Sequence, residues 1–225
     1  MFVPLILEEE HRHQLDNISE EDQKKMLSLC GSAILILSQN CSPIKKSDLN
    51  RLVMQGHRYY RAMNAITVAA NIRLDKDFGM RLYELEDRSK YLLVNSRADY
   101  ASYTKRSKTE EEQLTILYLI LTDIFASPEE KVSETDMIDT LSVLGLDERD
   151  LKKHIDTLFK KMYITHVKDP MHQDAKFIAW GPRAEAEIDP DNFFMSFLKM
   201  TEDGNEGNWP DQKRRIEKLK SIAYR

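Results

Sequence analysis

One order of elements occurs twice in this chain and constrains its fold more than any bulk property: a long helix, a short helix, a third helix, then two short strands joined by a polar turn. Three helices closed by a hairpin is the order of a winged helix. The two copies repeat the order without repeating the residues, so the expected architecture is tandem winged-helix domains, mainly α with short β-hairpin wings, an α+β fold.

In the first copy, "SEED" at Ser19 has the capping-box form, in which the Ser oxygen takes an orphan backbone N–H and the acid three residues on answers back. The helix it opens runs to about Gln39, and Met26, Cys30, Ala33, Ile34 and Leu37 recur on one face at helical spacing. "PIKKSDLNRLVM" then reads as an extended entry and a short helix capped by Ser47. A third helix is expected over roughly Arg58 to Arg73, followed by "GMRLYELE", "DRSK" and "YLLVNS" as strand, turn and strand.

The second copy opens at Thr109 with Glu112, another capping-box form. "EEQLTILYLILTDIF" follows, apolar almost all round and therefore expected to be buried. Ser133 with Asp136 caps a short helix to Leu144, which Gly145 stops. Asp147 to Lys161 reads as the third helix, "MYITHVKD" as a strand, "PMHQDA" as a turn and "KFIAWG" as the returning strand. Asp189 and Pro190 supply an N-cap and a first-turn proline for a last helix, "DNFFMSFLKM". The expected boundaries are a loose N-terminus over 1–18, a first domain over 19–97, a polar linker over 98–108, a second domain with its C-terminal helix over 109–200, and an acidic spacer with a basic tail over 201–225.

Composition narrows the chemistry. With 33 basic and 38 acidic residues in 225, the formal net charge is -5, so no global field draws the chain to nucleic acid or anionic membrane, and any such contact needs a local patch. The apolar run near the start is short and lacks a basic leader, which reads as neither signal nor anchor, and no stretch approaches the ~18 apolar residues of a membrane span. Cys30 and Cys41 form no CxxC pair, which suggests a reducing compartment, and no His, Cys or acid set repeats at metal-ligand spacing. No phosphate loop, nucleophile elbow or catalytic triad order is present. The expectation is a protein without catalytic residues, cofactor or metal.

The corner where the last strand ends is the most specific motif. Trp180, Gly181, Pro182, Arg183, Ala184, Ala186 and Glu187 form "WGPRA" and a small-acidic step before an aromatic helix. This resembles the MAGE (melanoma antigen) homology domain, with further similarity in "LFKKMYITHVKDP", in "PIKKSDL" and in "EEQLTILYLILTDIF". The likeness covers roughly Ser19 to Met200. The second half lacks the Gly-Asp/Glu-Pro loop of the vertebrate antigens, so it looks more like the branch of the family that serves as a non-SMC subunit of the SMC five/six complex.

That resemblance implies a non-enzymatic adaptor, nuclear and chromatin-associated, acting in chromosome maintenance and DNA repair. Its implied partners are a RING-finger ubiquitin-ligase subunit, a kleisin, SMC proteins through the complex, and DNA, with no membrane and no small-molecule substrate. Two alternatives stay open: a free-standing RING ligase adaptor outside an SMC complex, and a tandem winged-helix DNA-binding regulator.

Family members grip the RING partner through an aliphatic pair on the first helix, which places Ile34, Leu35 and Ile36 there; of these Ile34 also lies on the core face, and Leu35 points away from it. A kleisin helix would meet the second domain around Leu117, Ile120, Leu121 and Ile124, residues that also read as core. Arg149, Lys152, Lys153 and Lys160 share one side of the second domain's third helix and read either as a phosphate-contacting face or as a solvated charged face, with Asp156 among them. At about four phosphate contacts, log affinity would fall against log salt with a slope near -3.6. The corner itself, Trp180 to Arg183, reads as structural: close backbone approach, fixed φ and an aromatic plug. The tail "KRRIEKLK" is open between DNA, an import signal, a partner helix through Ile216, Leu219 and Ile222, and simple solubility.

Overall fold

The computed structural model describes residues 7–54, 59–96, 108–143, 145, 147–168, 176–201 and 205–223. The expected linker, apart from Lys108, and the turn "PMHQDA" lie outside the described residues. The chain divides into two compact units, Phe2–Tyr100 and Ala101–Arg225.

In the first unit, helix α1 (Glu9–Asp16) precedes α2 (Glu20–Leu37), strand β1 (Ile44–Lys45), α3 (Lys46–Val53), α4 (Met63–Phe78), and the hairpin β2 (Met80–Glu84) and β3 (Lys90–Asn95). The sheet order is β1-β3-β2, antiparallel throughout, with Leu82 opposite Leu93 and Ile44 opposite Tyr91. Three helices with a short strand and a terminal hairpin make a winged helix, as the sequence order predicts. Ser19 caps α2 by accepting from the Asp22 N–H at 3.2 Å. Met26, Cys30, Ala33 and Ile34 of α2 pack with Leu49 and Val53 of α3 and Ile66 and Ala70 of α4.

Three local expectations shift. The third helix continues to Phe78 rather than stopping near Arg73, because Leu74 is still a core residue and Gly79, at φ 64, is the first position that supplies a left-handed cap. Ser47 lies inside α3, whose N-cap is Lys45. The N-terminal stretch is not uniformly loose: α1 lays Leu15 into the first core, with Ile18 beside it, and the Gln23 side chain donates to the carbonyls of both.

The second unit repeats the plan with α5 (Lys108–Ala126), β4 (Val132–Ser133), α6 (Glu134–Ser142), α7 (Glu148–Lys160), β5 (Ile164–Val167) and β6 (Phe177–Trp180), the sheet running β4-β6-β5. Short helices α8 (Pro182–Glu187) and α9 (Pro190–Met200) follow, and α10 (Pro210–Ala223) ends the described chain. Asp189 caps α9 through the Asn192 N–H at 2.8 Å with Pro190 in its first turn, as read from the sequence. The other two expected caps differ: Thr109 is already inside α5, and the Ser133 side chain makes no capping bond to α6.

Phe125 is the hub of the second core. Phe193, Phe194 and Phe197 meet it edge-on at 5.4, 6.1 and 5.1 Å between ring centres, and Trp180 closes on Phe193 at 5.0 Å. Such edge-to-face pairs contribute about 0.5–1.5 kcal/mol each beyond the area they bury. The three phenylalanines of α9 thus find their surface on α5 and β6.

Candidate partner-binding site

Helix α2 has one side in the first core and one side in solvent. Ile34 is fully buried, whereas Leu35 is 39% and Ile36 61% exposed. Of the three residues assigned to the RING partner, Ile34 is therefore a core residue, and a contact there would require the domain to open. The structure adds a residue the sequence reading missed: Leu29, 40% exposed, seven residues before Ile36 and so on the same outward line. Ser32 lies between them, Ser28 just before Leu29, and a Cβ at Gly31 would meet nothing within 4 Å. The seven-residue spacing was the available signal. Exposed aliphatic side chains on a smooth, small-residue face suit a helix contact better than solvent.

The kleisin assignment on the second unit is corrected. Leu117, Ile120, Leu121 and Ile124 are all buried, in the same cluster as Phe125 and Trp180. Helix α5 is apolar almost all round, yet its outward side keeps Tyr118 and Leu119 exposed, so the expectation of full burial also fails. The four residues hold the domain together and present no surface.

On α7, Leu151, Ile155 and Leu158 are buried while Arg149, Lys152, Lys153 and Lys160 are exposed. Lys152 Nζ donates to Glu148 at 2.6 Å, one turn earlier, and this bond holds the Glu148 carboxyl below and the Lys152 ammonium above their ordinary values. That pairing weakens the claim of Lys152 on a phosphate.

The Trp180–Arg183 corner closes the end of α7. Met162 adopts a left-handed conformation at φ 62, and the Tyr163 N–H returns to the Leu158 carbonyl at 3.0 Å, the six-to-one bond of a Schellman end. The chain then passes the corner with almost no clearance. Gly181 N–H donates to Tyr163 O at 2.8 Å, and a Cβ on Gly181 would sit 2.4 Å from Met162 O. Its φ is an ordinary -94, so glycine is required for closeness rather than for handedness. Arg183, 3% exposed, donates its N–H to Met162 O, its Nε to Lys161 O at 2.7 Å and its Nη1 to Glu187 Oε1 at 2.8 Å. Glu187 Oε2 accepts from the Tyr163 hydroxyl, and the Trp180 indole N–H donates to Leu121 O at 3.0 Å. Every polar end that looked available to a ligand is engaged in closing the domain.

The basic tail forms α10, which docks Ile216 and Leu219 into the second core. Arg215, 7% exposed, donates to Ile124 O at 2.9 Å, with its guanidinium 5.2 Å from the Phe125 ring centre and 5.8 Å from that of Trp180. Burial lowers the Arg215 pKa, opposed by Glu130 and Glu185. Lys218 pairs with Glu130 at 3.6 Å and Lys220 with Asp191 at 2.7 Å. Arg215, Lys218 and Lys220 thus face their own domain, a choice the sequence left open, while Lys213 and Arg214 are exposed.

Among the described residues no group of three or more His, Cys, Asp or Glu side chains could hold a metal ion, and no helix is long and apolar enough to cross a membrane. Fold and surfaces together define a tandem winged-helix protein whose second domain is closed by an aromatic corner and C-terminal helices. Residues 88–191 match the model of the MAGE homology domain, and the resemblance read from "WGPRA" falls within that matched stretch. Among solved structures, a chain described as "Nse1-Nse3-Nse4 complex" is similar with a TM-score of 0.67 and 24% identity, covering 91% of this chain and 99% of that one, a likeness of fold. No curated protein matches the sequence.

Proposed function

We propose that this protein is a non-enzymatic MAGE-type adaptor, similar to the non-SMC element three subunit of the SMC five/six complex. In this reading it works in the nucleus on chromatin, joining a RING-finger ligase subunit and a kleisin by surface complementarity. The observation that carries the proposal is the exposed aliphatic side of α2, Leu29, Leu35 and Ile36, on a chain with a match to the MAGE homology domain and an end-to-end fold match to a chain of the Nse1-Nse3-Nse4 complex. For the second partner, Tyr118 and Leu119 are the large exposed apolar residues of α5. A sequence-independent DNA contact falls to Arg149, Lys153 and Lys160, with Lys152 the weaker member.

Affinity purification of wild type beside Leu35→Asp tests the reading. The variant is expected to fold, to lose the RING protein and to keep the kleisin. Full recovery of the RING protein by the folded variant refutes the α2 assignment. A wild-type pull-down with a RING ligase but without kleisin or SMC proteins favours the free-standing ligase adaptor instead.

A further inference from the structure

Two of the seven prolines in this chain follow a serine, at Ser42-Pro43 and Ser127-Pro128, and the fold treats the two pairs differently. Ser42 is exposed in the short connection between α2 and β1, just after the 3-10 turn Gln39–Cys41. Its backbone is extended, at φ -77 and ψ 149, because the ring of the following proline crowds the α region. Lys45, three residues on, is exposed as well. Ser127, just past α5, is half-buried, its hydroxyl donates to Lys131 O at 2.8 Å, and the residue three on is Glu130. The fold thus presents one exposed, extended Ser-Pro-x-Lys and one engaged Ser-Pro-x-Glu.

Each position of Ser-Pro-x-Lys has a chemical meaning for an enzyme that phosphorylates it. A pocket selective for proline after the acceptor can be wholly apolar, because proline alone brings no N–H to strand there. The ammonium of Lys45, three residues after the serine, answers an acidic subsite. We propose that Ser42 is the phosphoacceptor of a proline-directed Ser/Thr kinase whose groove takes a base at that position. The Ser42 Oγ attacks the γ-phosphorus of a nucleoside triphosphate, the bond to the β-phosphate oxygen breaks, the nucleoside diphosphate leaves, and the hydroxyl proton passes to the kinase's general base. Docking in the kinase lifts β1 from its sheet, since Ile44 is buried opposite Tyr91 and Lys45 lies opposite Lys90. A two-residue strand at a sheet edge is the kind of element that opens locally. The product carries roughly two negative charges at neutral pH in the connection that follows α2. The proposal stands independently of the adaptor reading.

The test incubates the folded full chain with a cyclin-dependent kinase and ATP and locates the phosphate by mass spectrometry. Phosphate is expected on Ser42 and not on Ser127. Ser42→Ala is expected to abolish it, and Ser127→Ala to leave the rate unchanged. Pro43→Ala is expected to lower the rate about tenfold or more, by bringing an N–H without a partner into the enzyme's pocket. Lys45→Glu, a change at an exposed position that spares the fold, is expected to lower it about tenfold by setting like charges together. Rates insensitive to both Pro43→Ala and Lys45→Glu overturn the proposal, as does faster modification of Ser127. A folded chain left unmodified while a peptide of residues 38–49 is phosphorylated overturns it too.

Discussion

The Nε of Arg183 donates to the Lys161 carbonyl oxygen at 2.7 Å, tying the last turn of α7 to the first turn of α8. The same guanidinium holds Glu187, whose side chain is only 16% exposed, so removing the arginine takes the donor from the Lys161 carbonyl and the cation from a carboxylate that keeps the Tyr163 hydroxyl.

Arg183→Ala is therefore expected to destabilise the second unit by about 3 kcal/mol or more, the usual cost of breaking a buried pair from one side. Arg183→Lys is not expected to rescue it, because a single ammonium cannot reproduce the two-directional fork. Urea unfolding of wild type, both variants, Glu187→Gln and the Arg183→Ala/Glu187→Gln pair measures this, and the pair should lose less than the sum of its two single changes.

Gly181 and Gly145 predict opposite kinds of penalty. Gly181→Ala drives a methyl to within 2.4 Å of Met162 O and is expected to cost about 2 kcal/mol or more as overpacking against backbone. Gly145 sits at φ 70 with nothing within 4 Å, so Gly145→Ala meets only the left-handed backbone penalty, about 1 kcal/mol. Thermal unfolding of the two variants should separate them clearly.

Cys30 gives a pH signature. Burial, partly offset by a hydrogen bond with Thr67, pushes its thiol from 9.0 up to about 12. Between those values the unfolded chain releases the proton and the folded chain keeps it, so the contribution of Cys30 to stability is complete below pH 9 and is lost as pH rises toward 12. Denaturant midpoints are expected to fall less steeply above pH 9 in Cys30→Ala than in wild type. A thiol reagent should modify Cys41, which is only partly buried, well before Cys30.

Duplex binding, where it occurs, should involve about three phosphates, because Glu148 already holds Lys152. Affinity measured across a salt series is expected to give a log–log slope near -2.7 rather than -3.6. Lys153→Glu should weaken random and fixed sequences alike.

Much of this molecule is written in local pattern. The capping oxygens of Ser19 and Asp189, the core face of α2 from Met26 to Ile34, and the apolar side of α7 follow from spacing and backbone chemistry, which act within a few residues. The residue choice at the corner was also legible, since Gly and Pro beside a Trp point to tight geometry and a plug. What the sequence left undetermined is which surface meets which. Helix α5 carries apolar residues on nearly every side, so only the arrival of β6, α7 and α9 decides that Leu121 is buried and Leu119 is exposed. Leu15 and Ile18 carry no local mark of docking, and the spacing of Ile216 and Leu219 marks a helix face without saying what it meets; all four are buried because distant elements present a floor to them. Helical periodicity names a face, but burial depends on partners tens of residues away in sequence, and only the tertiary structure brings those partners together.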